Sequence, residues 1–169
     1  LKIYLADLKK EQGNYISYHY LADSKTVKLE STGFCLEEPV TLHVSAAYNG
    51  RDLFINGNFK TRLNTVCSRC LSEFSIPLEG DFQEKFKHQK KSEGQEMDSE
   101  ESYFQGDAFD VKALLQEVLF LSLPLKPLCS SHCRGLCPVC GSNLNLEDCR
   151  CEAADVDPRL EDLKKFFEK

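Results

Sequence analysis

Long apolar runs, an excess of basic side chains and a cluster of histidines are all missing from this 169-residue chain. No stretch approaches the roughly 20 apolar residues that a bilayer-spanning helix needs, so a soluble, cytoplasmic protein without a membrane partner is expected. A secretory hydrophobic segment is missing too, which argues against an oxidising compartment. The sequence begins at Leu1 rather than Met, so a removed targeting segment, and with it a plastid location, stays open. Lys and Arg number 21 against 27 Asp and Glu, a formal charge of −6. Nonspecific affinity for nucleic acid comes largely from cations that displace phosphate counterions, so this balance excludes a diffuse polyanion binder. Any RNA contact has to be a local basic patch or be shared with a protein partner. The four histidines, His19, His43, His88 and His132, are scattered. Hydrolysis at a metal needs His or carboxylate ligands and an open coordination position, so no catalysis is expected from this arrangement.

Cysteine, by contrast, is abundant and grouped. Eight of the nine fall into closely spaced sets: Cys67 and Cys70 in CSRC, then Cys129, Cys133, Cys137, Cys140, Cys149 and Cys151. An odd total argues against full disulfide pairing, and a thioredoxin-like redox CxxC belongs between a strand and a helix start, whereas CSRC lies between strand-like sequences. Metal-ligand spacing is the better reading. In a CxxC turn two thiolates converge on one ion while backbone N–H groups point at the sulfurs, and Zn²⁺ is the usual ion for a complete cysteine shell.

Reach suggests how the ligands divide. Cys137 and Cys140 form a knuckle next to Gly141, where a tight turn favours a positive φ. Cys149 and Cys151 return after eight intervening residues and can close a local set. The four left over, Cys67, Cys70, Cys129 and Cys133, would form a second site joining distant segments. His132 in place of one thiolate, a mixed assignment, and one ion rather than two all stay open at this point. Two full tetrathiolate sites would carry the formal charge to about −10. Arg69 inside CSRC, Arg134 after Cys133 and Arg150 between Cys149 and Cys151 are the cations beside these turns. They either neutralise the thiolate centres or contact phosphate. Cys35 stands alone and reads as a small buried hydrophobe.

With 41% hydrophobic residues, the chain can bury one ordinary core, or one core plus a small metal-held appendage. Residues 1–87 read as β: IYLADL, YISYHYLA, VTLHVSAAYN, DLFINGNF, KTRLNTV and EFSIPLEGDFQEKF mix alternation with β-branched and aromatic residues. An antiparallel sheet or small barrel follows. Asn49-Gly50-Arg51-Asp52 and Asn56-Gly57-Asn58 are hairpin turns on the Asn-Gly signal, and CSRC is expected to cap a further hairpin. Residues 88–106 are polar and charged and read as a mobile acidic loop. In 107–128 the period changes, with Val111, Leu114, Leu115, Val118 and Leu119 on one helical face, Asp110 as N-cap and Pro124 as terminator; this helix packs on the sheet. Residues 129–169 are the cysteine-rich zinc segment and a closing helix, with Asp157 as N-cap, Pro158 at its first position, and Leu160, Leu163, Phe166 and Phe167 on its apolar face. The fold class is therefore α+β.

Taken in order, CSRCL after a β-rich half, an acidic loop, LFLSLPLKPLC, CRGLCPVCGSNLN, CRC and DPRLEDL resemble the YceD family, named for large ribosomal RNA subunit accumulation protein. The resemblance covers nearly the whole chain, with its specific motifs between Cys67 and Leu163. It implies a bacterial or plastid protein needed for accumulation or processing of 23S ribosomal RNA and hence for large-subunit assembly. The implied partners are the large-subunit precursor, its 23S rRNA or an early ribosomal protein. It further implies that Cys67 and Cys70 lie opposite Cys129 and Cys133, and that Cys137, Cys140, Cys149 and Cys151 are a stabilising addition. A non-catalytic assembly factor is the leading expectation. The alternatives are a zinc-stabilised protein-interaction module outside ribosome biogenesis and a thiol redox protein.

Overall fold

The computed structural model describes residues 1–11, 13–23, 27, 29, 33–89 and 102–151. In chain order the elements are β1 (Lys2–Tyr4), α1 (Leu5–Lys10), β2 (Ile16–Ala22), β3 (Cys35–Leu36), β4 (Val40–Tyr48), β5 (Asp52–Val66), β6 (Glu73–Gln89), β7 (Ser102–Gln105), β8 (Ala108–Asp110) and α2 (Val111–Ser122). Two compact units emerge: Leu1–Thr65 with Glu73–Leu125, and Val66–Ser72 with the segment from Lys126 onward. The CSRC turn thus groups with the later cysteines and not with the strands on either side of it in sequence. The closing helix expected from Asp157 lies outside the described residues.

The first unit is α+β. Its main sheet has the order β2-β4-β5-β6-β7, with β3 paired antiparallel to β5. β2–β4 and β4–β5 are antiparallel, while β6–β7 is parallel. Among the described residues the order has two ends, so the sheet there is open and not a closed barrel. A small antiparallel pair, β1–β8, completes the strands. Strand alternation does the sorting: Val40, Leu42, Val44 and Ala46 on β4 and Leu53, Ile55, Phe59 and Leu63 on β5 are buried, in the period of two that a one-sided sheet dictates. α1 packs on β4, and α2 packs on β6 and β1. α2 buries Val111, Leu114, Leu115, Val118 and Leu119, the face its 3.6-residue period specifies. Asp110 caps it by accepting from the Lys112 N–H at 2.9 Å. Leu123 leaves the helix at ψ 135°, the extended geometry that the following Pro124 imposes.

Several expectations need correction. Asn49-Gly50 does turn the chain, with Gly50 at φ 95° and the Asn49 side chain accepting from the Arg51 and Asp52 N–H groups. Asn56-Gly57 does not: these residues lie inside the 15-residue β5, opposite Ser45 and Val44. Gly57 answers to close approach, since a Cβ there would collide with the His43 carbonyl oxygen. IYLADL is strand only to Tyr4, after which α1 buries Leu5 and Leu8 at helical spacing. The stretch 88–106, expected to be a loop, is strand near both ends: His88 and Gln89 end β6 and Ser102–Gln105 form β7, while 90–101 lie outside the described residues. Cys35 is exposed on β3 instead of buried.

Candidate metal centre

The second unit is built on two turns with one template. Cys67-Ser68-Arg69-Cys70-Leu71-Ser72 and Cys137-Pro138-Val139-Cys140-Gly141-Ser142 share the pattern Cys-x-x-Cys-x-Ser. In each, the first cysteine's N–H donates to the serine carbonyl (2.9 and 2.8 Å), and the fifth residue's N–H donates to the first cysteine's carbonyl (3.0 and 2.9 Å). In each, the third residue's N–H points at the first sulfur, Arg69 to Cys67 at 3.5 Å and Val139 to Cys137 at 3.4 Å. The fifth position is left-handed in both: Gly141 has φ 75° and Leu71 φ 58°.

Each turn meets a pair of returning cysteines. Cys67, Cys70, Cys129 and Cys133 have all four sulfurs within 4.8 Å of one another, as do Cys137, Cys140, Cys149 and Cys151. Nearest sulfur distances are 3.8 Å for Cys67–Cys133, 3.6 Å for Cys70–Cys129, 3.5 Å for Cys140–Cys149 and 3.4 Å for Cys137–Cys149. A disulfide would need about 2.05 Å, and all nine cysteines are free. A tetrahedral ion bonded to four thiolates at about 2.3 Å has sulfur–sulfur edges of about 3.8 Å. The donor sets therefore fit a metal ion. In the first set Cys67, Cys70 and Cys133 are buried; in the second only Cys137 is.

Protonation follows the turns. Hydrogen bonds from the Cys129 and Cys70 N–H groups lower the Cys67 thiol to about 6, and the Ser72 hydroxyl and N–H lower Cys70. In the second turn the N–H groups of Cys140 and Val139 lower Cys137, and the Ser142 hydroxyl and N–H bring Cys140 to about 6. The returning thiols go the other way. Contact with Cys70 and burial push Cys129 up to about 12, and contact with Cys149 and Cys140 pushes Cys151 up to about 12. Against the pull of the Cys151 N–H, contacts with Cys137 and Cys140 raise Cys149. The cause is general: the knuckle N–H groups stabilise one pair of thiolates, and a further sulfur can then ionise only beside existing negative charge.

A family model described as "Large ribosomal RNA subunit accumulation protein YceD" matches residues 55–167, more than half of the chain. The chain belongs to the YceD family. It is also 26% identical over 168 residues to a curated maize (Zea mays) protein, "Large ribosomal RNA subunit accumulation protein YCED homolog 1, chloroplastic". That match covers 82% of this chain and 57% of the relative, so the chain spans little more than half of that protein's length. No solved structure matches.

Within this YceD-family chain, His132 lies outside both sulfur groups and is exposed. The three arginines differ in what they engage. Arg69 donates from Nη1 to the Cys133 carbonyl at 3.0 Å, bracing the first set without touching sulfur. Arg134 donates to the Asp148 carboxylate at 3.3 Å, and Arg150 is exposed.

Two asparagines have roles at the first set that the sequence reading did not assign to them. The Asn145 amide donates to the Cys133 sulfur at 3.3 Å and to Asn143 Oδ1 at 2.8 Å, and its own oxygen accepts the Arg134 N–H at 2.7 Å. The Asn143 amide donates to the Ser72 hydroxyl at 3.1 Å. Both lie in the loop that the second set closes, yet they serve the first. The loop is therefore a strut for the first set, where the sequence pattern suggested a separate metal-held appendage.

Proposed function

We propose that this protein is a non-catalytic factor supporting the accumulation and processing of 23S ribosomal RNA and the assembly of the large ribosomal subunit. The observation that carries this reading is the family match over residues 55–167. In this reading Cys67, Cys70, Cys129 and Cys133 bind one zinc ion, and Cys137, Cys140, Cys149 and Cys151 bind a second. Full thiolate shells are closed, structural sites, which supports a scaffold and not a hydrolase. The zinc-held unit holds immature rRNA or an early ribosomal protein in the bacterial cytoplasm or a plastid. Where it touches RNA, Arg69, Arg134 and Arg150 contact phosphate, held by rigid metal turns.

The test is recovery of the tagged protein from growing cells: large-subunit precursors should be enriched, and the triple Arg→Gln variant with unchanged zinc content should lose part of that enrichment. Absence of precursors in the wild-type recovery sinks the proposal. A protein-interaction module is the second reading, favoured by Leu71 and Val139, which are 64% and 56% exposed on the two turns. Recovery of a non-ribosomal protein in stoichiometric amount would select it.

A further inference from the structure

We infer that the outer face of the main sheet, where β2, β4 and β5 lie side by side, binds unpaired RNA nucleotides through their bases. The inference rests on the ribosomal reading above and names a ligand for a part of the molecule that reading leaves unused. Register sets the face. Ser17, Ser45 and Asn56 stand opposite one another in one row, and His19, His43 and Asn58 in the next. Two residues along a strand separate the rows, so all six side chains share the side away from Leu42, Val44 and Ile55. They line a concavity of about 560 Å³. Asp81, Phe82 and Gln83 of β6 complete its lining.

The chemistry of the face is what selects the ligand. Ser17 and Ser45 already share a hydrogen bond at 3.2 Å, and the imidazoles of His19 and His43 meet edge to face at 4.5 Å. This is an exposed pair of rings flanked by amides and hydroxyls that both donate and accept. Unpaired bases are recognised in that way, by stacking on aromatic or histidine rings and by hydrogen bonds to their edges and the 2′-hydroxyl. A phosphate site would want cations in its lining, but the charged residue that lines this concavity is Asp81, and Lys60 and Lys85 at its border pair with Glu79 at 3.1 Å and Asp52 at 3.2 Å. A protein partner would want a buried apolar anchor at the centre of the patch, and these two rows offer none. A face lined by Asp81 and without a cation in its described lining can still hold RNA if its binding is carried by bases, and its affinity then depends weakly on salt.

The test uses the intact chain and a fluorescent RNA oligonucleotide of about ten nucleotides without self-complementarity, a length within one binding face. His19→Ala combined with His43→Ala should weaken binding about tenfold or more with little change in the salt slope. Both side chains are exposed, so thermal melting should be unchanged. His43→Tyr, which keeps a ring, should retain most of the affinity. Ultraviolet crosslinks should map to β2, β4 and β5. Unchanged affinity in the double variant, or crosslinks confined to 66–72 and 126–151, overturns the inference. Co-sedimentation with large-subunit precursors separates the two claims. If wild type and double variant sediment alike with precursors, the assembly reading stands and this face is not the contact. If wild type stays free of precursors while oligonucleotide binding still depends on the histidine pair, the face is an RNA site and the assembly reading falls.

Discussion

The two cysteine turns share a template and differ in everything around it. The first draws its returning ligands from about 60 residues away in sequence, buries three of four sulfurs and takes hydrogen bonds from Arg69 and Asn145. The second closes within Cys137–Cys151 and leaves Cys140 and Cys151 exposed. Closing a long loop removes more chain entropy than closing a short one, and burial shields ligand bonds from water and competing ligands. The comparison teaches that identical local chemistry can serve as a staple in one place and as a strut in the other.

Ligand removal should give the largest contrast. With zinc in both sites, Cys70→Ser and Cys140→Ser should each lower bound metal by about one ion per chain. Cys70→Ser should also expose both 66–72 and 126–135 to protease, because the first set supplies the metal link between them, leaving hydrogen bonds such as Arg69 to the Cys133 carbonyl and Ser68 to the Pro127 carbonyl. Cys140→Ser should expose 137–151 first. Identical cleavage patterns in the two variants would break the distinction.

Acid should act on the second set next. At pH between 7 and 8 Cys140 is ionised, having been brought to about 6, whereas Cys151 at about 12 and the raised Cys149 hold their protons. Binding an ion must expel at least those two protons, so affinity falls as pH falls, by about a hundredfold or more per pH unit in this window. Proton release measured calorimetrically in buffers of different ionisation enthalpy checks the count. A release near zero would mean that the returning thiols are already ionised.

Much of this organisation was legible in the sequence, for local reasons. The face of α2 follows from the spacing of five apolar residues, and Asp110 declares itself as a cap. The metal partition follows from reach along the chain. The two Asn-Gly pairs show where local signals fail. The alternation of Leu53, Ile55 and Phe59 stays in phase through Gly57, and that unbroken phase was the sign that no turn occurs there; at Gly50 no such register spans the pair. α1 was lost because six residues hold too little periodicity to outweigh strand-like neighbours. Asn145 was invisible for another reason: its value lies in a side-chain bond to a sulfur 12 residues away, and no composition or period encodes it.

Asn145→Ala asks whether the two sets are independent. Residues that hydrogen-bond a metal ligand typically change metal affinity 10–100-fold when removed, so zinc should leave the first set about that much more readily even though the mutation lies in the loop of the second. Competition with a chromophoric chelator, combined with Cys140→Ser to silence the second set, reads the first set alone. An unchanged first-set affinity would make the two centres separate after all and restore the reading of the second as an independent appendage.

The smallest effect concerns the fifth position of each turn, where the comparison is closest to a controlled experiment. Leu71 sits at φ 58° with its side chain 64% exposed, and Gly141 occupies the same place at φ 75° with open space around it. A left-handed conformation costs a residue with a Cβ about 1–2 kcal/mol, while glycine's extra freedom in the unfolded chain costs about 0.5–1 kcal/mol. Leu71→Gly should therefore change stability by no more than about 1 kcal/mol, in the stabilising direction, and Gly141→Leu should destabilise by a similar amount. Urea denaturation of the zinc-loaded protein measures both. If Leu71→Gly leaves the fold as stable or more so but lowers recovery of the ribosomal precursor, strain at this turn is retained because it presents an apolar side chain to a partner. If it destabilises by more than about 1 kcal/mol, the exposed leucine is packing against something, and the first turn is held by more than its metal and its hydrogen bonds.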